Sequence, residues 1–159
     1  MKSIYLIRHA DSNWNNPDYS DFDLPLSEKG FKDIPIMANK LAELGFNPEL
    51  IVCSPALRTT TTAELLLKSA SYLFESSIYE ASLDDLIQLV NVLPNEYQEI
   101  ALIGHNPSIS LFSDYLTDSY MNNMTPCSII KIELEIDNWN EVVQGMGTEV
   151  YSISPETLV

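Results

Sequence analysis

The chain predicts an α/β fold: a three-layer α/β/α sandwich whose central sheet is mainly parallel and carries an antiparallel C-terminal edge hairpin. Two observations lead there. Short apolar, β-rich runs alternate with longer amphipathic segments through the first three quarters of the chain. The remainder switches to strict polar/apolar alternation around a turn. With 159 residues and 45% hydrophobic content, the chain is sized for a single core. No linker, repeat or low-complexity stretch divides it, so one domain spanning residues 1–159 is expected.

Taken in order, Ser3 to Ile7 is the first buried strand. Ser27 caps a helix reaching about Leu44, with Gly45 as its stop and Pro35 predicting a kink or a break inside it. Glu49 to Cys53 is the second strand, and Ser54-Pro55 places a capping hydroxyl before a proline suited to the first helical position. Ser82 with Asp85 opens a helix from Leu83 to Leu93, ended by Pro94. Glu99 to Ile103 is the third strand, and Asn106-Pro107 repeats the capping signal ahead of Ser108 to Leu116. Ser128 to Ile136 alternates as an edge strand, Asp137-Asn138-Trp139-Asn140 turns, and Glu141 to Gln144 is expected to return. A further short strand, Glu149 to Ile153, follows.

Eight basic residues against 23 acidic ones give a net charge of -15, which repels nucleic acid and anionic membrane; neither is expected as a partner. The apolar run at Ile4 to Ile7 is far below signal-peptide or membrane-span length, so a cytoplasmic protein is expected. Cys53 and Cys127 stand apart, without a CxxC or a Cys/His cluster, which suggests neither a disulfide nor a zinc site; Cys53 reads as a buried strand residue.

In so acidic a chain the few arginines are informative. There are two, Arg8 and Arg58. Both histidines, His9 and His105, fall just past predicted parallel strands, where open α/β sheets place their ligand crevices. Arg8 precedes His9, and Arg58 lies in the first turn of the helix after the second strand, where a cation opposes the helix dipole unless an anion sits between them. Singly, a strand-end histidine reads as a hydrogen-bonded structural residue and a helix arginine as a solvated one. Together, two arginines, two histidines and a helix N-terminus describe a phosphate or sulfate pocket.

Leu6-Ile7-Arg8-His9-Ala10, then Ser54-Pro55-Ala56-Leu57-Arg58-Thr59 with Thr62-Ala63-Glu64, then Ile103-Gly104-His105-Asn106-Pro107 resemble, in order and spacing, the three blocks of the histidine phosphatase (phosphoglycerate mutase-like) superfamily. The resemblance is nearest to its small SixA-type phosphohistidine phosphatases and extends through Pro25 to Gly30 and Ile78 to Ser82. It implies a phosphoglycerate mutase-like fold, a single histidine phosphatase domain, and in-line attack by His9 on phosphorus through a covalent phosphohistidine. Arg8, Arg58 and His105 would bind the phosphoryl oxygens, and the scheme requires neither metal nor cofactor. Asn15 matches a phosphate-contacting Asn of the mutase branch, or supports the turn before Pro17; Asn106 is a further phosphate-binding candidate. Glu80 is the candidate general acid, or else faces solvent or caps the helix near Ser82. Asp84 and Asp85 are poorer candidates, since helix N-termini attract acids.

Two departures stand out. Asp11 and Leu24 occupy positions where SixA-type members tend to carry Lys and Arg, and Asp18, Asp21 and Asp23 make the nearby loop acidic. A solvated acidic loop is the expected reading, a metal site the other. The expected partner is a phosphorylated substrate, a His-containing phosphotransfer protein being one candidate, met by a monomer. The alternatives are a small-molecule phosphomonoesterase using Glu80 and a catalytically weak phosphate-binding module.

Overall fold

The computed structural model describes residues 1–67 and 71–158. Four strands run parallel in the order β3-β2-β4-β1: β1 (Lys2–Arg8), β2 (Leu50–Cys53), β3 (Ser71–Phe74) and β4 (Glu99–Gly104). Two antiparallel strands, β5 (Ile129–Leu134) and β6 (Gly147–Ile153), extend the sheet beyond β1. The helices are α1 (Glu28–Glu43), α2 (Leu57–Leu66), α3 (Leu83–Asn91) and α4 (Ser108–Thr117).

Strand side chains alternate between the two faces, and this sorts the core into halves. Ile4, Leu6, Val52, Ile100 and Leu102 pack with Leu86 and Val90 of α3 and Ile109 and Phe112 of α4. Their neighbours Tyr5, Ile7, Ile51, Ala101 and Ile103 pack with Ile34 and Met37 of α1 and Ala63 and Leu66 of α2. The result is the α/β/α sandwich that the alternation of runs predicts.

Two of the three helix caps expected from serine hold. The Ser27 hydroxyl accepts from the Gly30 N–H, and Gly45, at φ 72°, follows the last turn of α1. Ser82 and Asp85 form a reciprocal capping box on α3. Helix α1 continues through Pro35, which lies on the exposed face where water can satisfy the carbonyl it frees.

Three local expectations are corrected. Helix α2 starts at Leu57 with Ala56 as its N-cap, so Ser54 does not cap it and Pro55 precedes it. The Leu57 N–H is met by the Phe22 carbonyl, and the Ser54 hydroxyl lies against His105 instead. Nor does the Asn106 side chain cap α4: Pro107 is the N-cap residue, and the Asn106 amide donates to Asn123 and to the Met124 carbonyl. The strand that returns against β5 is Gly147–Ile153, not Glu141 to Gln144. Trp139 draws the intervening chain into the core: it is fully buried, with its ring N–H on the Tyr97 carbonyl. Edge strand β3 had no expectation attached to it; Lys68 to Ala70, just before it, lie outside the described residues.

The register sets the site. Arg8 pairs with Gly104 and Cys53 with Ile103, so β1, β4 and β2 end side by side at one level. His9, His105 and Ser54 therefore leave neighbouring strands at the same edge of the sheet.

Candidate active site

His9 is 6% exposed, and its ring nitrogen Nδ1 lies 2.7 Å from the Ala10 carbonyl oxygen. A carbonyl can only accept, so the ring proton sits on Nδ1 and the lone pair of Nε2 is left free. Burial pushes the His9 imidazolium down to about 3; the Ala10 carbonyl opposes this, while the charges of His105, Arg58 and Arg8 add to it. At neutral pH the ring is therefore uncharged.

The turn that carries His9 is fixed from both sides. The Cys127 N–H reaches the Arg8 and His9 carbonyls, and the Ala10 N–H donates to the Thr62 hydroxyl, which in turn donates to the Arg58 carbonyl. Thr62 thus ties α2 to the loop after β1. The rings of His9 and His105 lie with centroids 5.3 Å apart. His105 is lowered to about 4, first by burial and then by the arginine charges, with Asp21 opposing.

Arg8 donates from Nη1 to the Met124 carbonyl at 2.9 Å, while its Nε is buried without a partner. Arg58 is 8% exposed and donates from Nη1 to the Asp21 carbonyl at 2.5 Å and from Nη2 to the Asp21 carboxylate at 3.2 Å. A cavity of roughly 360 Å³ opens on Arg8, His9 and Arg58 and is also walled by Asp11, Asp21 and Leu24. That size suits a small ligand or one exposed side chain.

The other expected residues distribute differently. Asn106 sits close by but acts on the chain: its amide and Arg8 share the Met124 carbonyl, and its oxygen accepts from Ser110. Asn15 lies exposed in a turn and Glu80 is exposed at φ 56°; neither lines this cavity. Asp85 is engaged in the α3 cap. The two cysteines are free and buried.

Asp21, expected as part of a solvated acidic loop, instead reaches the site together with Tyr79, to which the sequence assigns no role there. The Tyr79 hydroxyl donates to the Asp21 carboxylate at 2.5 Å, and its ring stands edge-on to both His105 and Phe22. That bond, followed by the Arg58 charge and hydrogen bond against a desolvation penalty, holds Asp21 below the ordinary carboxylate range. Asp11 accepts from the Ser27 hydroxyl at 2.6 Å, at the N-terminus of α1. Among the described residues no cluster of three or more His, Cys, Asp or Glu is placed to hold a metal ion. No helix among them is long and apolar enough to cross a membrane.

Comparison with known proteins agrees with the fold. The model of the histidine phosphatase superfamily (branch 1) matches residues 4–89. An uncharacterized chloroplastic protein of Arabidopsis thaliana is 33% identical over 78 residues, which are 49% of this chain and 36% of that protein. Among solved structures, a protein assigned as the phosphohistidine phosphatase SixA of Agrobacterium tumefaciens superposes with a TM-score of 0.83 at 21% identity, over 97% of this chain and 98% of the other. A protein histidine phosphatase SixA in complex with tungstate gives 0.82 at 22% identity, over 99% of both chains. With the family model covering more than half of its length and the strand-end His9 in its first block, the chain belongs to the histidine phosphatase superfamily, branch 1.

Proposed function

We propose that this chain is a phosphohydrolase that takes a phosphoryl group onto Nε2 of His9 and returns it to water, with protein phosphohistidine as its substrate. The observation that carries the reading is the neutral His9 ring, its proton committed to Ala10, beside two arginines in one cavity.

In the first step the Nε2 lone pair forms a bond to phosphorus while the bond to the leaving nitrogen breaks; its electron pair stays with a substrate ring protonated from solvent on its other nitrogen, which departs as neutral imidazole. In the second, a water oxygen bonds to phosphorus, the P–Nε2 pair returns to His9, and the water's protons pass to phosphate and solvent. Arg8, Arg58 and His105 meet the non-bridging oxygens during both displacements.

The choice of leaving group follows from proton supply. An alkoxide needs a proton as it departs, whereas an imidazole, with a conjugate-acid pKa near 6.5, does not need a strong donor. The carboxylates walling the cavity are Asp11 and Asp21. Asp21 is held ionised by Tyr79 and Arg58, and Glu80 stands outside. With Asp21 held ionised and Glu80 outside the cavity, neither is placed to protonate an alkoxide, which favours N-linked phosphate over phosphate esters. The SixA proteins that share this fold carry phosphohistidine or protein histidine phosphatase in their names, which supports the same class. A protein-borne phosphohistidine, such as that of a phosphotransfer protein, is the partner this reading implies.

The test is phosphate release from a phosphohistidine protein, phosphoramidate and a panel of phosphomonoesters, with wild type, His9→Ala and Glu80→Gln compared. Release from the P–N substrates is expected to survive Glu80→Gln and to vanish in His9→Ala, along with an acid-labile phosphoenzyme. Ester cleavage lost in Glu80→Gln would establish the phosphomonoesterase instead. Phosphate binding with no phosphoenzyme in wild type would mean a binding module.

A further inference from the structure

Ser54 ends β2 as a buried hydroxyl that the capping logic does not employ. Its Oγ lies 2.8 Å from His105 Nε2, and both residues are buried. Its surroundings are rigid. The Ser54 N–H pairs with the Ile103 carbonyl, and the Thr59 hydroxyl donates to the Ser54 carbonyl at 2.8 Å and to the Ala56 carbonyl at the same distance.

We propose that Ser54 is a positioning residue that sets the tautomer of His105: its O–H donates to Nε2, so the neutral ring carries its proton on Nδ1 and presents an N–H to a phosphoryl oxygen. The Ala56 N–H points at Ser54 Oγ from 3.4 Å and takes one of the two acceptor lone pairs of the hydroxyl. The remaining partner of Oγ is His105 Nε2, so the hydroxyl proton has one acceptor to go to. In the opposite tautomer Nε2–H would donate to Oγ, the hydroxyl proton would lose its acceptor, and a bare Nδ1 lone pair would be left to meet phosphoryl oxygens.

His105 Nδ1 is buried and has no partner within the protein. So is Arg8 Nε, on the other residue flanking His9. A buried donor left unpaired costs on the order of 1–3 kcal/mol, and a phosphoryl group between the two would satisfy both. This assignment rests on the reading that His105 meets the phosphoryl group, and its test separates the two.

The chain has two histidines, so selectively ¹⁵N-labelled histidine gives two ring spin systems, distinguished by His9→Asn. At pH 7 wild-type His105 is expected to carry its proton on Nδ1. Ser54→Ala, with folding verified by its melting curve, is expected to move the proton wholly or partly to Nε2 and to slow phosphoenzyme formation by up to about 100- to 1,000-fold, as for loss of one oxyanion donor. Ser54→Thr, which keeps the hydroxyl, restores both readouts. A wild-type ring protonated on Nε2, or a tautomer unchanged in Ser54→Ala, overturns the assignment. A tautomer that shifts while phosphoenzyme formation does not overturns the part played by His105 and leaves the tautomer assignment standing.

Discussion

Asp21 is a carboxylate at the wall of a cavity that presents two arginines, and two opposed consequences follow from its bonds. Its backbone and side-chain oxygens hold the Arg58 guanidinium in a fixed plane, which benefits an in-line reaction. Its charge, however, repels a phosphate dianion a few ångströms away. Two unit charges about 4 Å apart interact by roughly 1 kcal/mol in water and about 4 kcal/mol near a protein surface, so the repulsion is not negligible even though Asp21 is exposed. Asp21→Asn keeps an acceptor for Tyr79 or Arg58 and removes the charge. Inorganic phosphate is therefore expected to inhibit the variant at concentrations about 3- to 10-fold lower than it does wild type, whereas Asp21→Ala, which frees Arg58, lowers kcat. Weaker product inhibition in Asp21→Asn would mean that the positioning of Arg58 outweighs the repulsion.

The same loop meets α1 where the chain tolerates no side chain. A Cβ on Gly30 would lie 2.3 Å from the Asp11 carbonyl oxygen, a backbone atom that cannot rotate away. Helix propensity alone would favour Gly30→Ala by about 1 kcal/mol, but overpacking costs typically 1–3 kcal/mol and here is set against backbone. We expect Gly30→Ala to lower the urea midpoint and, by displacing Asp11 and the loop after β1, to lower kcat/KM; a raised midpoint would show that α1 slides to accommodate the methyl. Elements whose logic is local were legible in this way from sequence. The Ser27 and Ser82 caps are settled by bonds three residues long, and the buried strands by their own apolar runs. Ser54 was misread because the same hydroxyl that suits an N-cap is claimed by His105, 51 residues away. Asn106 is likewise claimed by Met124, and Trp139 by Tyr97. Asp21 and Tyr79 meet across 58 residues. Arg8, His9, Arg58 and His105 could be found because each adjoins a recognisable strand end or helix start, while their supporting partners are products of the tertiary fold.

At the scale of the molecule, a net charge of -15 surrounds a cavity that presents both of the chain's arginines. Several lysines are already paired elsewhere: Lys29 with Asp33, Lys40 with Glu43, and Lys131 with Glu99. An incoming dianion therefore crosses a repulsive far field before it meets an attractive near one. Salt treats the two differently. The Debye length falls from about 30 Å at 0.01 M to about 8 Å at 0.15 M, so the far field is screened, while contacts to the half-buried Arg8 and buried Arg58 are screened much less. For a small anionic substrate such as phosphoramidate, kcat/KM is expected to rise about 3- to 10-fold over that range in potassium chloride, with kcat nearly constant because encounter and not chemistry is affected. A phosphoprotein that approaches through a basic surface should show the reverse, since screening then removes attraction. A fall in kcat/KM for the small substrate would show that the field at the cavity mouth is already positive, with the two arginines outweighing the acidic shell at long range as well as at contact.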